Sequence, residues 1–145
     1  MAGKRCFTKD ILGSGDFVSL PPRAQLLYIQ MNMDADDDGV VANVRPAMAN
    51  SGAGQKELEA LIAARFVLKA GRVHVIKHWH LHNTIKKDRY KPTTWQDDLN
   101  ALFIKENGAY TDHPGEGYEA FIAETKWNQN GTKMEPKRRQ NGTTI

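Results

Sequence analysis

The stretch Phe66 to Trp79, F-V-L-K-A-G-R-V-H-V-I-K-H-W, constrains the fold more than any other. Two apolar runs, Phe66-Val67-Leu68 and Arg72 to Trp79, flank the short Gly-containing turn Lys69-Ala70-Gly71, which is the pattern of a β-hairpin. Val73 and Val75 alternate with Arg72 and His74. The alternation slips at Ile76, which predicts a bulge or a strand buried on both sides near its end. The strand is expected to end on a buried Trp79.

Three helices are expected before the hairpin. Ser19-Leu20-Pro21-Pro22 opens the first, because prolines lack the N–H that a first helical turn would leave unpaired anyway. Leu26, Leu27, Ile29, Gln30 and Met33 then form a broad stripe over residues 23–33, with Tyr28 beside it. Asp34 to Gly39 reads as a solvated acidic turn, and Val40-Val41 as a very short strand. Asn43 can cap a second helix over 44–50, with Pro46 in its first turn. The third helix, Gln55 to Arg65, carries Leu58, Leu61, Ile62 and Arg65 at helical spacing. Helices, short strand and hairpin in this order predict an α+β, mostly helical fold: a winged helix-turn-helix of three helices plus a β-hairpin wing, with extra C-terminal helices.

The expected layout is an N-terminal arm (1–18), the winged-helix domain (19–93), a C-terminal helical extension (94–127) and a basic, flexible tail (128–145). In the extension, Thr93 or Thr94 is expected to cap a helix with Trp95, Leu99, Leu102 and Phe103 on one face, ended by Asn107-Gly108. A last short helix is expected over Glu116 to Trp127.

Several blocks resemble a known family: L-P-P-R-A-Q-L-L-Y (20–28), M-N-M-D-A-D-D-D-G-V-V (31–41), L-I-A-A-R-F-V (61–67), I-K-H-W (76–79) and I-K-K-D-R-Y-K-P-T (85–93). Together they look like the N-terminal domain of phage replisome organizer proteins, which are related in architecture to DnaD-like winged-helix domains. The resemblance covers roughly residues 7 to 100. It implies a winged-helix fold, binding to double-stranded DNA at a replication origin, and either self-association, as in a homodimer, or contact with host helicase-loading (replication) machinery. Organizer proteins usually continue into a further C-terminal domain, whereas about 50 weakly matching residues follow here. That departure motivates an alternative: a phage-encoded interaction protein that inhibits a host or defence protein, or a small transcriptional repressor.

Charge clusters where the hairpin ends. Between Phe66 and Thr93 lie seven cations, Lys69, Arg72, Lys77, Lys86, Lys87, Arg89 and Lys91, against one acid, Asp88. The whole 145-residue chain is only +3, with a pI near 9.0, so local clustering matters more than the total. Neutralising phosphates with such a cluster releases counterions and makes binding salt-dependent. Lys69 and Arg72 at the hairpin tip are expected to reach a groove or flanking phosphates. Lys86, Lys87, Arg89 and Lys91 would follow the backbone, with Tyr90 packing or stacking. The alternative is a solvated basic face with Asp88 and Arg89 in a structural ion pair. On the third helix, Gln55 and Lys56 can pair with base edges. Glu57 and Glu59 would repel phosphates and suit a scaffold or protein contact instead.

Other chemistry is poorly provided for. Asp34-x-Asp36-x-Asp38-Gly39 matches the first half of a calcium loop, but its twelfth position is Arg45 where a bidentate carboxylate is needed. His74, His78, His80 and His82 share parity and would line one side of a continuous strand. No cysteine or carboxylate completes a zinc set, so a polar face, partly charged below about pH 6.5, is expected. If that face met DNA, binding would strengthen as pH falls. Cys6 is the one cysteine and has no nearby fixed base, and no phosphate-cradling G-x-x-x-x-G-K-[ST] occurs. The expectation is a non-enzyme without cofactor or metal. A mean hydropathy of −0.59, a lone cysteine and no long apolar run predict a cytoplasmic protein with no membrane span.

Overall fold

The computed structural model describes residues 4–113. The expected helix over 116–127 and the basic tail lie outside the described residues. Among those described, the order is α1 (Lys9–Leu12), α2 (Gly15–Val18), α3 (Pro22–Asp34), β1 (Val40–Val41), α4 (Arg45–Ser51), α5 (Gln55–Ala63), β2 (Val67–Ala70), β3 (Val73–Ile76), α6 (Trp79–His82), α7 (Gln96–Leu99), β4 (Phe103–Ile104) and β5 (Tyr110–Thr111). The protein is mixed α+β. No helix among the described residues is long and apolar enough to cross a membrane.

Local chemistry sets the boundaries. Pro22 occupies the first turn of α3. Gly52, at φ +71°, ends α4 in the left-handed region, its N–H returning to the Met48 carbonyl. At the start of α5 the Glu57 carboxylate folds back to accept the Gly54 N–H at 2.8 Å, supplying a cap that Gly54 itself cannot. That bond also holds the Glu57 carboxyl below its ordinary range.

β1, β3 and β2 make one antiparallel sheet in that spatial order. The register Val67↔Ile76, Leu68↔Val75, Lys69↔His74, Ala70↔Val73 is unbroken, so Ile76 marks no bulge. The strand is buried on both sides at its end instead: Val75 and Ile76 are both fully buried. α3 packs on α4 and α5, and α5 on β2. Leu27, Tyr28, Met31, Leu58, Leu61, Leu68 and Trp79 fill the centre. Phe17, Tyr28 and Phe66 meet edge to face with centroids 5.3–5.8 Å apart.

The N-terminal arm is docked. Arg5 donates to the Asn32 and Ala35 carbonyls at the end of α3, where unpaired carbonyls attract a cation. Its guanidinium also lies 5.2 Å from the Trp79 ring centre.

Two expectations are corrected. The helix expected over Trp95 to Phe103 stops at Leu99, and Phe103–Ile104 instead pairs with Tyr110–Thr111 across a turn holding Asn107-Gly108. Leu102 and Ile104 are buried and Phe103 less so, an alternation of period two. A short apolar run fits either period, and here the strand wins. Second, residues 78–82 are not a strand. Trp79–His82 forms a single helical turn, so the histidine ladder does not exist.

Candidate nucleic-acid surface

The acidic turn and the basic segment form one structural unit. Asp36 opens the turn by accepting the N–H groups of Asp38 and Val40, both at 3.0 Å. Burial raises its carboxyl above the ordinary range, and these bonds partly offset that. Gly39, at φ +83°, lets the chain reverse against Trp79; a Cβ there would stand 2.6 Å from the indole.

Asp37 and Asp38 are each only 1% exposed, so the expectation of a solvated turn is overturned. Buried carboxylates need partners, and the segment 90–93 supplies them. The Tyr90 hydroxyl donates to Asp38 at 2.7 Å, the Thr93 N–H to Asp38 at 2.8 Å and the Lys91 N–H to Asp37 at 3.0 Å. From the other side, Trp79 Nε1 donates to the Asp37 carbonyl and the Tyr110 hydroxyl to that of Asp38. No group of histidine, cysteine or carboxylate side chains among the described residues could hold a metal ion.

The clamp fixes a backbone whose cations point outward. Ile85 is buried beneath the segment, while Lys86, Lys87, Arg89 and Lys91 are exposed. Arg89 N–H closes a turn on the Lys86 carbonyl. None of these four side chains has an ion-pair partner among the described residues, and the pair anticipated between Asp88 and Arg89 does not form. A shallow depression of about 490 Å³ borders Thr84, Lys86, Lys87 and Asp88. Tyr90 is half-buried and spends its hydroxyl on Asp38, so it anchors the segment and is not available as a free stacking ring.

The hairpin tip is arranged differently. Arg72 pairs with Asp98 of α7 at 2.8 Å and lies 4.8 Å over the Trp95 ring. This bond is the main reason that the Asp98 carboxyl sits below the usual range. A Cβ on Gly71 would meet the other oxygen of the same carboxylate, so the tip and α7 are in close contact. Lys69 folds back onto the Gly71 carbonyl at 2.7 Å. Lys77 and His74 are half-buried, and burial lowers the His74 pKa. On α5, Gln55 and Lys56 are exposed at the first turn, and the Gln55 amide reaches Glu59 at 3.4 Å. The predicted site residues thus fall at three places: the clamped segment, the hairpin tip and the start of α5.

The histidines do not form the expected polar face. His80 reaches the Tyr110 hydroxyl at 3.1 Å. His82 accepts the Thr8 N–H on Nδ1 at 3.0 Å, which assigns the proton to Nε2, 2.7 Å from the Tyr28 hydroxyl. Burial pushes both His78 and His82 down to about 4, so they are neutral at pH 6.5.

Asp37 and Asp38 are the residues that sequence reasoning missed. A signal existed: the two most specific motif blocks, 34–40 and 87–93, are the two halves of the clamp. Comparison with family models, curated proteins and solved structures finds no match, and the replisome-organizer resemblance rests on the sequence motifs.

Proposed function

We propose that the protein binds double-stranded DNA as a winged-helix protein of the replisome-organizer type, acting in phage replication initiation. The observation that carries this reading is the clamped segment: four exposed cations without an ion-pair partner among the described residues, on a segment pinned through residues 90–93 to two buried carboxylates. A backbone already held in place reduces the ordering cost of meeting phosphates to that of the side chains. The order α3-β1-α4-α5-β2-β3, with spatial strand order β1-β3-β2, supports the winged-helix part. In this reading α5 approaches the major groove through Gln55 and Lys56, while Lys86, Lys87, Arg89 and Lys91 hold the flanking phosphates.

The test is fluorescence anisotropy with duplex DNA over a salt series, comparing wild type with Lys86→Ala/Lys87→Ala. Each phosphate contact adds about 0.9 to the slope of log affinity against log salt, so the double variant should lose roughly 1.8. Salt-independent binding, or an unchanged slope, would remove the proposal.

A second reading, a protein-interaction module directed at a host protein, is favoured by the hairpin tip. Arg72 is already paired with Asp98, which leaves the tip less to offer a phosphate. It predicts a stoichiometric protein complex that survives nuclease treatment, in a chain without DNA affinity.

A further inference from the structure

α3 lacks the polar outer face of an ordinary surface helix. Its inner face buries Ala24, Leu27, Tyr28 and Met31. On its outer side Leu26 and Met33 remain 41% and 45% exposed, with half-buried Ile29 between them. Leu26, Ile29 and Met33 follow i, i+3, i+7 spacing, which lines one stripe of a helix and suits packing against a second helix.

Charges at the two ends identify the occupant. Arg23 lies in the first turn of α3 and Asp34 is its last residue; both are exposed. Neither has an ion-pair partner among the described residues. At 100° per residue they project along the same flank of the stripe. Two copies of α3 laid antiparallel about a two-fold axis near Ile29 would bring Leu26 against Met33 of the other copy. The same arrangement places Arg23 near the opposing Asp34, twice over. In a parallel pair the two-fold axis would put the two charged flanks on opposite sides of the seam, and neither bridge could form.

We propose that α3 is a homodimerisation helix, pairing antiparallel with α3 of a second copy through Leu26, Ile29 and Met33, with Arg23–Asp34 bridges at both ends. The sequence suggested self-association without a surface for it; in the expected Trp95 to Phe103 helix, Leu99 and Leu102 are taken up by the core. α3 spans only about 20 Å, so the contact is at the small end of specific interfaces and the dimer is weak. The proposal does not depend on DNA binding.

Sedimentation equilibrium of the full chain over a concentration series tests it. The wild type should move from monomer to dimer, and Met33→Glu should weaken pairing by roughly tenfold or more. Arg23→Asp and Asp34→Arg should each weaken it severalfold, because one reversal sets like charges opposite at both ends. The double variant Arg23→Asp/Asp34→Arg should recover the wild-type affinity. All three substituted positions have exposed side chains, and circular dichroism verifies that each variant is folded. A chain that stays monomeric throughout, a dimer indifferent to Met33→Glu, or a double variant that fails to recover overturns the proposal.

Discussion

The clamped segment and the hairpin tip both place carboxylates beside a cationic stretch, with opposite results. In the clamp, Asp37 and Asp38 are buried and take backbone N–H groups and a tyrosine hydroxyl, leaving the lysine and arginine side chains outside. At the tip, Asp98 takes the guanidinium itself, and the cation is consumed. A carboxylate that binds backbone presents positive charge, whereas one that binds side chain cancels it. Seven cations between Phe66 and Thr93 are therefore not seven equivalent phosphate contacts.

Removing the clamp should produce the largest effect. Asp38→Ala leaves the Tyr90 hydroxyl and the Thr93 N–H without their acceptor. Hydrogen bonds to a buried charge are among the strong ones, so stability should fall by about 3 kcal/mol in urea denaturation. A loss below about 1 kcal/mol would mean that the segment holds its place without the carboxylate.

Acidification comes next. The folded pKa of His82, near 4, lies below the unfolded value near 6.5, so the unfolded state binds more protons between them. Stability is then complete above about pH 6.5 and declines as pH falls toward 4, by about 3 kcal/mol for this 5% exposed group. His78 acts in the same direction. Denaturation midpoints at pH 7, 5.5 and 4.5 should follow this course, and His82→Phe should flatten it by about one proton. The expectation of tighter DNA binding on acidification is not supported, since His80 and His82 are buried and burial lowers the pKa of half-buried His74 and His78.

The smallest effect falls at the tip. Asp98→Ala should move Tm little, because Arg72 is 70% exposed and the pair is screened from that side. It frees Arg72, so DNA affinity should rise severalfold, with the salt slope steeper by about 0.9. An unchanged slope would mean that the tip does not face the duplex. Equal effects of Asp38→Ala and Asp98→Ala on stability would erase the distinction between the two regions.

Much of the fold was legible in the sequence. Pro21-Pro22 marked the start of α3, the apolar runs around Gly71 marked the hairpin, and Val40-Val41 marked the third strand. Residues 95–104 were not legible, because Leu99, Leu102 and Ile104 suit a helix or a turn followed by a strand, and the pairing of Ile104 with Tyr110 decides between them. Nor was the direction of the histidines legible, since one turn of helix in place of a strand sends His80 and His82 to different partners. Exposure of Lys86, Lys87, Arg89 and Lys91 followed from their chemistry. The clamp did not, because backbone N–H groups are its main donors, and every residue except proline carries one.

The Tyr110 hydroxyl on the Asp38 carbonyl has a consequence for the order in which the chain assembles. The two residues are 72 positions apart, and the Tyr90 and Thr93 bonds to Asp38 span 52 and 55. During synthesis Asp37 and Asp38 emerge long before the Tyr90, Lys91 and Thr93 donors to their carboxylates, and the Tyr110 bond closes the longest loop of the set. A fragment cut at residue 93 would retain every helix and strand expected of the DNA-binding unit, yet lose Leu99, Leu102, Ile104 and Tyr110 from its core. The winged-helix unit expected from the sequence and the packed core of this protein therefore have different ends.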